Sequence, residues 1–133
     1  MKYLVTGSSG FIGGCLARQL VQAGHEVVAL VRNPDAARDL KAIGVSIHQG
    51  DVRDKSSLSP PLKEVDGLFH LAAWYRIGVR NQREAYQTNV EGTQNVLETA
   101  QALGVPRIVY TSTIAVSSDT GGKLVDEEFH YQG

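Results

Sequence analysis

The sequence predicts an α/β fold with a doubly wound parallel sheet. Five short apolar runs alternate with four helical patterns along the 133 residues. Such alternation is typical of a parallel sheet with helices on both faces and right-handed crossovers. The first two helical patterns each end at a glycine, which favours the strand order 3-2-1-4-5. The length predicts a single domain over residues 1–133.

The five predicted strands are short and mostly apolar. Runs of this kind are typical of strands buried on both faces of a parallel sheet. We therefore expect His70, which falls inside the fourth run, to be buried. The predicted strands span residues 3–5, 27–31, 45–48, 68–72 and 108–110.

The first helix is predicted from Phe11 onward. Its apolar residues recur with a helical period and share one face, so we expect Cys15 on that face to lie in the core. Gly24 occupies the position of a left-handed C-cap. The predicted apolar face consists of Phe11, Ile12, Cys15, Leu16, Leu20 and Val21.

Three further helices are predicted from weaker or longer patterns. Asp35 is interpreted as the N-cap of a helix over 36–43 rather than as a ribose ligand. Residues 54–64 give a weak pattern, which the prolines at 60 and 61 interrupt. Residues 81–103 carry a long helical pattern that Gly104 ends.

The composition excludes several classes of function. Thirteen basic and fourteen acidic residues leave a formal net charge of −1, so no nucleic-acid partner is expected. The single cysteine excludes an intramolecular disulfide and cysteine-rich metal sites, and it fits a reducing, cytoplasmic location. The four histidines lack metal-ligand spacing. No apolar run approaches the roughly 20 residues of a membrane span, and the N-terminus does not resemble a signal peptide.

The strongest local signal is a glycine-rich turn between the first strand and the first helix. Gly7 permits a tight turn, Gly10 lets backbone N–H groups approach a pyrophosphate, and Gly13 lets the helix pack closely on the strand. The helix N-terminus adds free donors and about half a positive charge. The alternative is a βα turn that is glycine-rich for structural reasons alone. The pattern predicts a Rossmann-type dinucleotide site that includes Gly7, Ser9, Gly10, Phe11, Ile12 and Gly13.

The GxxGxxG spacing, with Thr6 before it, resembles the fingerprint of the extended short-chain dehydrogenase/reductase superfamily. Four later segments are similar to that superfamily in the same order, and together they cover nearly the whole chain. Residues 69–76 and 110–113 look closest to its dihydroflavonol-4-reductase-like and NAD-dependent epimerase/dehydratase branch. The four segments are Gly50-Asp51-Val52, His70-Leu71-Ala72-Ala73, Asn89-Val90-Glu91-Gly92-Thr93 and Tyr110-Thr111-Ser112-Thr113.

The resemblance implies how these segments would hold a coenzyme. Asp51 and Val52 would meet the adenine ring, and Asn89 would brace the strands of the active site. Further along the coenzyme, the residues that would line it are Leu71, Ala72, Ala73 and Thr111.

The residue after the second strand bears on the choice between NADP and NAD. An acidic residue at this point would bind the ribose hydroxyls of NAD, whereas this sequence has Arg32. A guanidinium is always charged and pairs in a bidentate manner with phosphate. We therefore expect NADP, with NAD as the alternative. In that alternative Arg32 is a solvated turn residue that stacks on adenine.

The activity implied by the resemblance is hydride transfer between nicotinamide and a carbinol or ketone carbon of a small molecule or nucleotide sugar. Thr113 would orient the reacting oxygen, with Ser112 in a supporting role. The other interpretation of Thr113 is a strand-end threonine bonded to its own backbone. No metal ion is expected in this chemistry.

The superfamily's proton relay, a Tyr-x-x-x-Lys pair, does not occur in the 133 residues. A cation near the tyrosine is needed because a free phenol titrates near 10. The simplest interpretation is an incomplete dinucleotide-binding domain of a longer enzyme, inactive by itself and without its substrate segment. The alternative is a non-catalytic NADP-binding module that senses redox state or docks a partner. We also expect an open edge at the fifth strand, prone to self-association, and consider a homodimer for the longer protein.

Overall fold

The computed structural model describes residues 1–75, 82–113 and 120–129, and it contains a five-stranded parallel sheet. The strand order is β3-β2-β1-β4-β5, which confirms the predicted order. The predictions for 69–76 and 81–103 include residues 76 and 81, which lie outside the described residues. The strands are Lys2–Thr6 (β1), Glu26–Val31 (β2), Ser46–Gln49 (β3), Gly67–His70 (β4) and Ile108–Tyr110 (β5).

The helical segments connect these strands as the predicted alternation requires. Short 3₁₀ segments at Pro34–Ala37 and Lys55–Ser57 precede the second and third helices. A π-helical segment, Gln87–Glu91, joins the last two. The α-helices are Phe11–Gln22 (α1), Arg38–Ala42 (α2), Ser59–Leu62 (α3), Arg83–Tyr86 (α4) and Gly92–Ala102 (α5).

The core lies on both faces of the sheet, and β1 contributes to each. Successive side chains of a strand point to opposite faces. Leu4 therefore packs with the cluster beneath α3 and α5, which includes Leu62 and Val96. Val5 packs with the other cluster, beneath α1 and α2, which includes Ala17 and Leu40. Both faces of the sheet are thus covered by helices, as in a doubly wound fold.

The predicted apolar face of α1 is partly wrong. Cys15 is exposed, and Phe11 and Ile12 are 94% and 63% exposed. The helix instead buries Gly13 and Ala17 against the sheet. Because each residue advances about 100° around a helix, Cys15 lies on the side opposite both of these small residues. Small residues let the helix approach the strands closely, and so they replace the larger apolar residues at the contact.

The cap of the second helical segment is also different from the prediction. The side-chain oxygen of Asn33, not that of Asp35, accepts the hydrogen bond that begins the segment, from the N–H of Asp35 at 3.0 Å. Pro34 takes the first helical position, so the cap residue must precede it. Asp35 instead pairs with Arg38 at 2.8 Å on the exposed surface.

Two further helix predictions need correction. Pro60 and Pro61 do not interrupt the third segment but lie at the start of α3, where a missing N–H loses no helical bond. The long pattern over 81–103 is not one regular α-helix. Its backbone widens to a π-helical turn at Gln87–Glu91 before α5 continues, and π-turns often occur at functional sites.

Candidate functional site

The turn between β1 and α1 can be made only by glycine at its first position. Gly7 has φ +72°, in the left-handed region. A Cβ atom there would lie 2.7 Å from the carbonyl carbon of Leu71 and 2.8 Å from the backbone nitrogen of Ala72. The turn is closed by the N–H of Gly10, which donates to the Gly7 carbonyl at 3.0 Å. The glycine turn is therefore pressed against the chain that leaves β4.

Gly13 fixes the close contact between α1 and this turn. A Cβ atom at Gly13 would lie 2.3 Å from the carbonyl oxygen of Gly7. Backbone cannot yield as a flexible side chain can, so any larger residue would push the helix away. The N-cap residue Gly10 has no side chain to cap α1, and the first turn of the helix contains no acidic residue. The positive end of α1 is thus free to attract an anion.

A cleft of about 200 Å³ opens beside the glycine turn at the carboxyl ends of β1, β2 and β4. It brings together nine of the residues predicted from the sequence to bind a coenzyme. From the glycine turn and the end of β2 these are Gly7, Ser9, Gly10 and Arg32. From the segments after β3 and β4 they are Asp51, Val52, Leu71, Ala72 and Ala73.

The other predicted site residues do not line this cleft. Phe11, Ile12 and Gly13 form the first turn of α1. Thr111, Ser112 and Thr113 directly follow β5, are exposed, and lie beyond the same edge of the sheet as the cleft. The N–H of Thr111 donates to the carbonyl of His70 at 3.0 Å, which continues the pairing of β5 with β4.

Five residues that line the cleft were not among the residues predicted to bind the coenzyme. Thr6, Leu30, Val31 and Gly50 are strand-end residues, which the predicted edge of the sheet could have indicated. Thr88 lies in the π-helical segment, and no sequence signal identified it. Its hydroxyl oxygen is buried and has no hydrogen-bond partner among the described residues. A buried hydroxyl without a partner is costly, so Thr88 is a candidate to bond a bound molecule.

Arg53 holds the carboxylate of Asp51 in one orientation. Its side-chain nitrogens donate to both carboxylate oxygens, at 2.6 Å for the shortest contact, and its backbone N–H donates to one of them at 2.9 Å. The side-chain hydrogen bond from Arg53 lowers the pKa of Asp51, and the positive charge of Arg32 lowers it further. One end of the cleft therefore carries an ionised, oriented acceptor beside an exposed cation.

A buried set of hydrogen bonds supports one wall of the cleft, which begins with Leu71 and Ala72 after β4. The hydroxyl of Thr6 lies 2.7 Å from Nδ1 of His70 and accepts the N–H groups of Leu71 and Ala72, each at 3.1 Å. Nε2 of the same imidazole lies 3.1 Å from the hydroxyl of Thr93. His70 is fully buried, as predicted, and burial lowers its pKa to about 4. The imidazole is therefore neutral near pH 7.

Asn89 holds the segment beyond this wall. Its side-chain oxygen accepts the N–H of Trp74 at 2.7 Å, and its amide nitrogen donates to the carbonyl of the same residue at 2.9 Å. The π-helical segment that contains Asn89 is thus fixed to the chain after β4. This contact agrees with a bracing role for Asn89, although it braces the chain after β4 rather than a strand.

The described residues contain no cluster that suggests a metal site or a membrane segment. In residues 1–75, 82–113 and 120–129, no group of three or more His, Cys, Asp and Glu side chains could hold a metal ion. Within the same ranges, none of the helices is long and apolar enough to cross a membrane.

The strand order and the glycine turn that leads into α1 define a Rossmann-type fold with a cleft at its switch point. The chain belongs to the 3-beta hydroxysteroid dehydrogenase/isomerase family, whose sequence model matches residues 4–132.

Individual relatives agree with this assignment and with the predicted superfamily. A putative dihydroflavonol 4-reductase of Synechocystis sp. is 37% identical over 128 residues, 96% of this chain and 37% of the relative. A 2-alkyl-3-oxoalkanoate reductase of Stenotrophomonas maltophilia is 40% identical over 118 residues, 88% of this chain and 34% of the relative.

A solved structure is similar in fold to this chain. The UDP-glucose 4-epimerase of Bifidobacterium longum, in complex with NAD+ and UDP, has a TM-score of 0.86 and 25% sequence identity. The match covers 100% of this chain and 43% of the epimerase chain. The chain therefore spans well under half the length of the relatives and the epimerase that it matches.

Proposed function

We propose that the cleft binds a nicotinamide dinucleotide with its pyrophosphate at the N-terminus of α1. The observation that carries this proposal is the glycine turn together with Gly13. They form a glycine cradle, in which a Cβ atom at Gly7 or Gly13 would collide with backbone. The cradle lies where β1 has β2 on one side and β4 on the other, the switch point at which doubly wound folds bind ligands. The NAD+ complex of the similar epimerase supports the same assignment.

The adenosine end of the dinucleotide would lie between Arg32 and Asp51. The ionised carboxylate of Asp51 is an acceptor for the adenine amino group, and Val52 offers an apolar contact to the ring. Arg32 lies at the end of β2, where the ribose hydroxyls are read in folds of this class. Its guanidinium favours a 2′-phosphate, and we therefore propose NADP as the preferred coenzyme.

The nicotinamide end would lie along Leu71 and Ala72, which follow β4 and line the cleft, and would extend toward β5. The backbone N–H groups of Leu71 and Ala72 are not free to bind the coenzyme, because both donate to the hydroxyl oxygen of Thr6. This wall therefore offers mainly apolar contact. Thr88, whose hydroxyl has no partner among the described residues, would supply a directed hydrogen bond.

The whole protein would be an oxidoreductase or an epimerase/dehydratase. Hydride would move between C4 of the nicotinamide and a carbinol or ketone carbon of a small molecule or nucleotide sugar. Thr113, with Ser112 beside it, would orient the reacting oxygen from the end of β5. A tyrosine and a lysine, which do not occur as a pair in these 133 residues, would move the proton.

The proposal also includes the cellular location of the protein and its association with copies of itself. A cytoplasmic location fits the single exposed cysteine, Cys15, which a reducing compartment would keep as a thiol. Self-association of the 133 residues by themselves would use β5, which lies at one edge of the described sheet with side chains 39% to 52% exposed. A homodimer of the whole protein is a separate proposal, which sedimentation of the whole protein would test.

Substitution of Gly7 with alanine tests the cradle. The added methyl group would meet the backbone of Leu71 and Ala72, so NADPH affinity should fall by at least about tenfold, or 1.4 kcal/mol. Gly24→Ala is the matched control, since Gly24 also has a left-handed φ, +79°, and nothing lies within 4 Å of its Cβ position. Both variants carry similar backbone strain. Equal NADPH affinity of the two variants, measured by the coenzyme's fluorescence, would contradict the proposal.

Substitution of Arg32 with aspartate tests the coenzyme preference. The change should weaken NADPH binding by about tenfold or more while NADH binding changes little, because a charge-assisted hydrogen bond contributes about 1.5–3 kcal/mol. Arg107→Asp is the control, with the same change of charge just before β5, at the amino ends of the strands. If Arg32→Asp weakens both coenzymes equally, Arg32 does not read the 2′-phosphate.

A further inference from the structure

His70 is the point at which the glycine turn, the cleft wall and the strand before Thr113 are joined. It ends β4, is fully buried, and contacts three other elements. Its imidazole is bonded to Thr6 of β1 and to Thr93 of α5. The ring also stacks on Tyr110 of β5, with centroids 5.5 Å apart and planes at 22°.

The hydrogen bonds of Thr6 determine which nitrogen of the imidazole carries the proton. The Thr6 oxygen accepts two N–H groups, from Leu71 and Ala72, and these occupy both of its lone pairs. Its single proton must therefore be donated to Nδ1 of His70. Nδ1 is then an acceptor, and the ring proton lies on Nε2, from which it is donated to Thr93. All the bonds in this chain run in one direction, which strengthens each of them.

Only a neutral imidazole can complete this chain. An imidazolium would present a second N–H to the Thr6 oxygen, which has no lone pair left to accept it. The titratable group that faces the ring from β5 is the phenol of Tyr110. Thr6 and Thr93, which face it from β1 and α5, carry no charge. Burial is the cause of the lowered pKa, so the neutral form is maintained without a charged partner.

We propose that His70, as the Nε2–H tautomer, is a positioning residue that sets the width of the coenzyme cleft. The imidazole directs the Thr6 hydroxyl, and that hydroxyl holds the two N–H groups that begin the wall. The glycine turn fits against the same two residues with no room for a methyl group. A rotation of the Thr6 hydroxyl would therefore move the wall relative to the turn. This inference rests on the proposed binding of a dinucleotide in the cleft.

A pair of substitutions separates positioning from simple structural support. In His70→Asn the amide oxygen can replace Nδ1 as the acceptor for Thr6, whereas in His70→Gln the amide reaches the position of Nε2, toward Thr93. Both variants lose the ring stacked on Tyr110. We expect His70→Asn to weaken NADPH binding by less than about threefold and His70→Gln by about tenfold or more, the effect of a lost hydrogen bond that leaves buried groups unpaired. A merely structural ring would affect both variants equally.

A long-range ¹H–¹⁵N correlation spectrum of the unsubstituted protein provides the second readout. We expect a protonated Nε2 and an unprotonated Nδ1 for His70 between pH 8 and pH 6. A proton on Nδ1, or equal affinities of the two variants, would overturn the inference while the binding proposal stands. If the unsubstituted protein binds neither NADPH nor NADH, the proposed function fails and this inference fails with it. The spectrum identifies the tautomer even if a variant does not fold.

Discussion

Replacement of Thr6 by valine should destabilise the protein far more than replacement by serine. Valine matches the shape of threonine but removes a hydroxyl that is fully buried and has three partners. Two backbone N–H groups, of Leu71 and Ala72, and Nδ1 of His70 would lose their bonds. A buried polar group left unpaired costs about 1–3 kcal/mol, so the three together should cost at least about 3 kcal/mol.

Serine provides the matched control, because it keeps the hydroxyl and removes one methyl group. Its cost should be about 1 kcal/mol, the value of one buried carbon. A domain of this size is stable by about 5–15 kcal/mol, so the difference between the two variants is a large part of the total.

Urea unfolding followed by circular dichroism measures this difference. With a slope of about 2 kcal/mol per molar urea, the midpoint for Thr6→Val should lie about 1 M below that for Thr6→Ser. Fluorescence of Trp74, the single tryptophan, gives an independent probe of the same transition. If the two variants unfold within a few tenths of a kcal/mol of each other, the Thr6 hydroxyl does not hold the wall and the reasoning is wrong.

Two further predictions concern groups around the cleft. The pKa of His70 is about 4 in the folded protein and 6.5 when unperturbed, so the unfolded chain binds more protons between these values. The free energy of unfolding should therefore be highest above pH 6.5 and fall by roughly 3 kcal/mol as the pH drops to 4. Urea midpoints that fall by the same amount in His70→Asn, which lacks the imidazole, would contradict this. Asn89→Asp should keep the bond from the Trp74 N–H but place a carboxylate against its carbonyl, at a cost of about 1–3 kcal/mol. An unchanged melting temperature and unchanged Trp74 emission would show that Asn89 does not brace this segment.

The order of the strands and the position of the cleft could be predicted from local sequence signals. Each strand is a short apolar run, and the run of Leu4 and Val5 has to be covered on both sides. Glycine is needed at positions 7 and 13, because backbone packs directly against backbone there, and the spacing of these glycines can be read directly from the sequence.

The features that the sequence does not predict depend on contacts between distant residues. Thr6 and His70 are 64 positions apart, so no local pattern connects them. The sequence pattern places Cys15 in the core because apolar periodicity does not show that Gly13 and Ala17 form the contact with the sheet. The π-helical turn that brings Thr88 to the cleft is not predicted either, because it is a single segment of five residues within a longer helical pattern.

Isothermal titration calorimetry with NADPH and with NADH tests the central claim, that this cleft grips a dinucleotide. We expect binding of one equivalent, tighter for NADPH than for NADH, with the NADPH affinity at least about tenfold lower in Gly7→Ala and unchanged in Gly24→Ala. If the folded protein gives no heat of binding with either coenzyme, and Gly24→Ala gives none either, the claim that the cleft binds a dinucleotide is contradicted.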